Sequence, residues 1–325
     1  MKFCCFFSSY NNYILFDKLW FKENQSNLDD ILIFNIDCGS DEENLKYKRA
    51  LLGPLNIIDL KVEEDKRSSQ KHIEAIDEYL TKNNIDCDWI VSFQHDCYPT
   101  QKDFWKLFEQ KLSSLDNYKD KIGVAGFKIL NIPQNTNPRQ DSFGRGNILN
   151  GITTGRHFGW YKDMPYDYEK ANHFVVESAA WVAVAINRKL FKQHIVPDHD
   201  FYLNLWADDI SHQFNIKNIA TITFPDLIMN HDSKAKNLMG IPNSPDRSSF
   251  HSSKDNKAFN HHFYWKNKYG WRWGMRDGPG GEIRDPRVEF EKVKNRYVGT
   301  INEYIFNRNV SDGPISIQEM TQDIK

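Results

Sequence analysis

Residues Trp89–Phe93 form a short apolar run, free of Gly and Pro, that passes directly into Gln94-His95-Asp96-Cys97-Tyr98-Pro99. The run reads as a buried strand, and Pro99 is expected to stop its pairing. A carboxylate at the carboxyl end of such a strand stands where open α/β sheets bind ligands. The competing reading is that Asp96 caps a helix starting near Thr100. Two earlier strand ends deliver polar groups to the same edge: Ser9-Tyr10-Asn11, and Asp37 with Gly39, Ser40 and Asp41. Asp37 can hydrogen-bond a base or ribose. An Asx-turn with Asp41 as helix cap accounts for that segment equally well. Asp96 and His231 suit a hard or borderline divalent ion, Mg2+ or Mn2+, which completes its shell with phosphate oxygens and water. The competing reading of His231 is a simple hydrogen bond. Asp208-Asp209, after the apolar Leu205-Trp206-Ala207, offers a general base in apolar surroundings; the same pair would stabilise the start of a helix.

These residues need a scaffold, and the pattern of the chain supplies one. Lys2–Phe7, Ile31–Ile36, Asn56–Val62, Trp89–Phe93 and Ile122–Leu130 read as strands. Helical spacing falls between them, over Tyr13–Glu23, Glu42–Leu52, Ser68–Thr81 and Lys102–Leu115. Strands alternating with helices call for an α/β fold with a mostly parallel central sheet. Asn131–Gly151 is a long polar loop, of the kind that is usually functional. Val175–Ile186 is a further strand region, Arg188–His194 a helix and Ala220–Phe224 another strand. From about Ser244 the chain turns polar and aromatic, which divides it into a main domain, 1–244, and a C-terminal extension, 245–325, with Gly278-Pro279-Gly280-Gly281 inside it.

Composition narrows the function. The 325 residues are 40% hydrophobic and 26% charged, with a formal net charge of -2. That charge argues against bulk binding to nucleic acid. Five cysteines without zinc-finger spacing suit reduced thiols in a cytoplasmic protein. No run of about 18 apolar residues predicts a membrane span. Aromatic residues reach 14%, including nine Trp, which serves core packing or sugar-ring stacking.

In order and spacing these motifs resemble the GT-A fold glycosyltransferases, family 2 in particular, over roughly residues 1–235. Ser8-Ser9-Tyr10-Asn11 is similar to the family's Pro-x-Tyr-Asn turn, and Asp37-Cys38-Gly39-Ser40-Asp41 to Asp-Asp-Gly-Ser-x-Asp. Trp89–Pro99 resembles the strand with the Asp-x-Asp metal motif, with Gln94 where the first Asp is expected. Ala207-Asp208-Asp209-Ile210-Ser211 resembles Glu-Asp-x-Asp-Leu, and Pro225–His231 the stretch ending in a metal-binding His. The resemblance implies a Rossmann-like nucleotide-diphospho-sugar transferase, inverting and metal-assisted. Tyr10, Asn11, Asp37, Ser40, Gln94 and His95 would bind the nucleotide sugar. Asp96 and His231 would hold Mn2+ or Mg2+, and Asp209, with Asp208 as the alternative, would deprotonate a glycan or other hydroxyl acceptor. The aromatic segment His261–Trp273 would shape the acceptor site or close as a lid. The processive-synthase Gln-x-x-Arg-Trp motif is missing. Two rival readings are a catalytically inactive glycan-binding or scaffold protein on the same fold, and a sugar nucleotidyltransferase, against which the lack of a Gly-rich triphosphate loop counts.

Overall fold

Phe3–Ser9 (β1) alternates its side chains between two apolar layers, which is what a strand buried on both faces must do. Phe3, Cys5 and Phe7 enter one layer, while Cys4 and Phe6 enter the other. The computed structural model describes residues 1–9, 31–37, 42–52, 57–61, 69–94, 97–132, 168, 170–201, 205–232, 264–271, 290–308 and 312–324. The expected helix at Tyr13–Glu23 and the loop beyond Ile132 lie outside them.

After β1 come β2 (Leu32–Asp37), α1 (Glu42–Leu52), β3 (Ile58–Lys61), α2 (Ser69–Lys82), β4 (Trp89–Gln94), β5 (Cys97–Pro99), α3 (Phe104–Ser113) and β6 (Ile122–Ile132). Then follow β7 (Phe174–Val176), β8 (Ala183–Asn187), α4 (Arg188–His194), α5 (Trp206–Asn215), β9 (Ala220–Asp232), α6 (Ile301–Phe306) and α7 (Ile317–Asp323). One nine-stranded sheet runs β3-β2-β1-β4-β8-β6-β9-β5, with β7 paired onto β9. β1, β2, β3, β4, β6 and β9 run one way; β5, β7 and β8 run against them. This is the mostly parallel α/β sheet that the sequence predicts.

Several boundaries differ from expectation for identifiable reasons. Pro99 does not stop pairing: it opposes Met229 in β5, an edge strand, where a missing N–H costs no ladder bond. The expected strand at Ala220–Phe224 continues to Asp232, because the β6 ladder resumes at Ile228 after a bulge around Pro225. The Val175–Ile186 region is two strands, joined by Glu177–Val182.

Close approach of α5 to the sheet depends on Gly123 in β6, where a Cβ would stand 2.6 Å from Cδ2 of the Phe214 ring. Described residues between 264 and 324 are built into the same core. Ile301, Ile305, Ile317 and Met320 join the layer of Phe3 and Phe108, while Trp265, Trp271, Phe290 and Phe306 join the layer of Ile73 and Phe214. Trp265 and Trp271 have no solvent exposure, so these two are core residues and not a surface for a sugar ring. Among the described residues no helix is long and apolar enough to cross a membrane.

Candidate functional site

Parallel pairing fixes which strand ends meet. Ser9 stands opposite Asp37 between β1 and β2, Asp37 opposite Lys61 between β2 and β3, and Ser8 opposite Gln94 between β1 and β4. The carboxyl ends of four adjacent parallel strands therefore bring Ser9, Asp37, Lys61 and Gln94 to one edge. Tyr10, Asn11, Ser40, His95 and Asp96 lie outside the described residues, but Tyr10 follows Ser9 directly and His95 follows Gln94. Asp37 is buried, at 8% exposure. Just below the edge, Ser8 Oγ and His72 Nδ1 of α2 are 2.7 Å apart, and burial lowers this imidazole to about 4, leaving a neutral ring.

Helix α3 begins at Phe104 with Asp103 as its N-cap residue, and β5 intervenes between Asp96 and that helix. The N-cap position of this helix thus lies beyond β5 in the chain, at Asp103, whereas Asp96 precedes β5. Cys97, the next residue in the chain, pairs with His231 of β9. Backbone register thus brings the strand that follows Asp96 alongside His231, although the His231 side chain is also outside the described residues. A carboxylate with an imidazole is a donor set that fits Mn2+ or Mg2+. Among the described residues, no group of three or more His, Cys, Asp and Glu side chains could hold a metal.

The two adjacent aspartates of α5 point to different surroundings, as successive residues on a helix must. Asp208 accepts a 2.5 Å hydrogen bond at Oδ1 from Ser178 Oγ, in the β7–β8 connection. That connection also reaches the end of β4, where the Gln94 amide donates to the Val182 carbonyl at 2.8 Å. Asp208 is thereby linked to the same sheet edge as Gln94.

Asp209 has no solvent exposure, and both its oxygens are occupied. Lys268 Nζ donates to Oδ1 at 2.7 Å, and Tyr269 Oη to the same oxygen at 2.5 Å. Gln70 Nε2 and Gln213 Nε2 donate to Oδ2 at 3.0 and 2.8 Å. A carboxylate offers about four lone-pair sites, so this one has none left for an acceptor hydroxyl. Burial pushes the Asp209 carboxyl above its ordinary range, with the Lys268 ammonium opposing the shift. Asp209 is thus fully engaged within the protein, and Asp208, at 1% exposure, is buried beside it.

Sequence reasoning missed the partners of the pair: Ser178, Gln70, Lys268 and Tyr269. A second carboxylate, Asp198, accepts from Lys268 Nζ at 2.7 Å and from Tyr264 Oη at 2.9 Å. A cavity of ≈ 610 Å³ opens beside this cluster, with Asp198, His199, Gln213, Lys268 and Tyr269 among its walls.

No protein-family model and no curated protein matches the chain. Solved structures do. A mannosyltransferase from Pyrobaculum calidifontis in complex with GDP-Man and Mn2+ is 13% identical at a TM-score of 0.50, over 94% of this chain and 69% of that one. GalNAc-T7 with UDP, GalNAc and Mn2+ is 13% identical at 0.49, over 100% of this chain and 56% of that one. S. aureus TarS 1-349 in complex with UDP-GlcNAc is 14% identical at 0.43, over 71% and 58%. The chain thus spans little more than half the length of the last two. Together with the strand order, the first of these likenesses shows the architecture: the chain carries the GT-A-type, Rossmann-like fold of nucleotide-diphospho-sugar transferases.

Proposed function

We propose that the chain is a glycosyltransferase that moves a sugar from a nucleotide-diphosphate donor to a glycan or other hydroxyl acceptor, with inversion. The observation that carries this reading is the register that gathers Ser9, Asp37 and Gln94 at one edge, beside the β7–β8 connection bonded to Asp208. Tyr10, Asn11 and Asp37 bind the base and ribose, with Ser40, Gln94 and His95 along the diphosphate and sugar. Asp96 and His231 would hold Mn2+ or Mg2+, which when bound neutralises charge on the departing diphosphate.

Asp208 takes the base role in place of Asp209. It accepts the proton of the acceptor hydroxyl while that oxygen attacks the anomeric carbon. The bond from that carbon to the diphosphate oxygen breaks on the opposite face, and the nucleoside diphosphate leaves. Ser178 donates to one carboxylate oxygen and so fixes the orientation of the Asp208 carboxylate. Among the described residues, cysteines outside any disulfide at Cys4, Cys5 and Cys87 favour a reducing, cytoplasmic setting.

Incubation with a panel of nucleotide-diphosphate sugars, Mn2+ and simple glycan acceptors tests this. Turnover with an inverted anomeric centre is expected, and Asp208→Asn should lower kcat by a factor on the order of 10² to 10⁴. A retained anomeric configuration, or full activity in Asp208→Asn, overturns the base assignment. Gln94 at the end of β4, where the resemblance expects an Asp, favours the second reading, a glycan-binding protein on the same fold; its mark is glycan binding without turnover.

A further inference from the structure

The first turn of α5 is held under strain from outside the helix. Leu205, its N-cap residue, is a fully buried leucine at φ 62°, in the left-handed region, and it provides no side-chain cap. An L-residue with a branched side chain adopts this conformation only when its surroundings impose it. The surroundings are known. Gln70 Nε2, on α2, reaches both the Trp206 carbonyl at 3.2 Å and Asp209 Oδ2. Gln213, one turn on, also donates to Oδ2. Lys268 and Tyr269 close the other oxygen, and Lys268 ties it to Asp198 in the 195–201 segment that precedes the helix.

Lys268 and Tyr269 are themselves fixed. The Tyr269 ring lies 4.2 Å from the His212 ring and 4.5 Å from that of Trp265, centroid to centroid. The Tyr297 hydroxyl donates to the Tyr269 carbonyl at 3.0 Å. The C-terminal extension therefore grips α5 at the residue next to Asp208.

We infer that Lys268 and Tyr269 are positioning residues: by clamping Asp209 they hold the strained start of α5 so that Asp208 keeps its place against Ser178. This builds on the assignment of Asp208 as the base, and two readouts keep the two ideas separable. The first is kinetic. In Lys268→Met and in Tyr269→Phe, kcat should fall by about tenfold or more while the donor KM changes little, since small misplacements of a reacting group are costly. Lys268→Arg should recover part of the loss. Tyr304→Phe, which removes a 2.7 Å bond to Asp323 in the α6–α7 region, serves as the control and should leave kcat unchanged. Unchanged kcat in both clamp variants overturns the inference. So does an equal change in kcat and donor affinity that tracks the folded fraction.

The second readout needs no activity. Amide hydrogen exchange over residues 205–215 should speed up by about tenfold in Lys268→Met, and not in Tyr304→Phe. If the wild-type chain turns over no donor, the reading of the site fails, and exchange still decides the clamp. Exchange that is the same in Lys268→Met as in the wild type refutes it.

Discussion

Lowering the pH from neutral should destabilise this protein through three histidines buried in neutral form. His72 in α2 sits against Ser8 and the Phe6 ring. His173 accepts a hydrogen bond at Nε2 from the Ile317 amide, at 3.2 Å. His212 is enclosed by the rings of Trp265, Tyr269, Trp271 and Tyr297, with Asn302 as a hydrogen-bond partner. Burial lowers these imidazoles to about 4, about 4 and about 3, from an ordinary 6.5. In each case the unfolded chain binds the proton first. The stability contributed is therefore complete above 6.5 and is lost as the pH falls from 6.5 towards 4. Moving from about pH 7.5 to about pH 5.5 removes about 1.3 kcal/mol per histidine, or about 4 kcal/mol in all. Asp209, whose carboxyl is raised by burial, works in the opposite sense and takes up its proton in the folded state as the pH falls. Urea unfolding at the two pH values measures the net effect. Replacing His212 by Phe, which keeps the aromatic packing, should shrink the pH difference by about a third. A loss under about 1 kcal/mol, or a difference untouched by His212→Phe, would refute the reasoning.

Two further outcomes follow from packing and charge. Gly123→Ala should destabilise by about 1–3 kcal/mol in the same urea assay, since its Cβ meets the Phe214 ring of a helix that cannot retreat. Arg188→Met should cost about 2–3 kcal/mol: its guanidinium pairs at 2.6 Å with Asp77 Oδ1, both side chains being largely out of water, and also donates to Ile85 O and to the exposed Thr81 Oγ1.

The sheet was legible where burial demands an apolar run. β1, β2, β4 and β6 are each mostly apolar, interrupted by single polar residues such as Asn35, Ser92 and Lys128, as strands buried on both faces tend to be. β5 was not legible, because three residues ending in Pro99 pair only through an edge whose partner, β9, lies over 120 residues on. The aspartate pair shows the limit at the site. Asp208 and Asp209 differ by about 100° around the helix, and which one faces Ser178 depends on how α5 is rotated against β6 and residues 264–271. That rotation is set by contacts such as Lys268–Asp209, between positions joined by no periodic pattern. For the same reason the aromatic stretch after Tyr264 gave no sign of its direction; Trp265 and Trp271 turn inward because α5 and the segment around Phe290 present an apolar face to them.

The proposed metal-assisted nucleotide-sugar site lies at the carboxyl ends of β1, β2 and β4. Calorimetric titration of GDP and UDP, with and without Mn2+, tests it most directly. One of them should bind at least about tenfold more tightly with Mn2+, and Asp96→Ala or His231→Ala should remove the enhancement while Asp208→Asn keeps it. Equal affinity with and without the metal, or an enhancement that survives the loss of both Asp96 and His231, would contradict it.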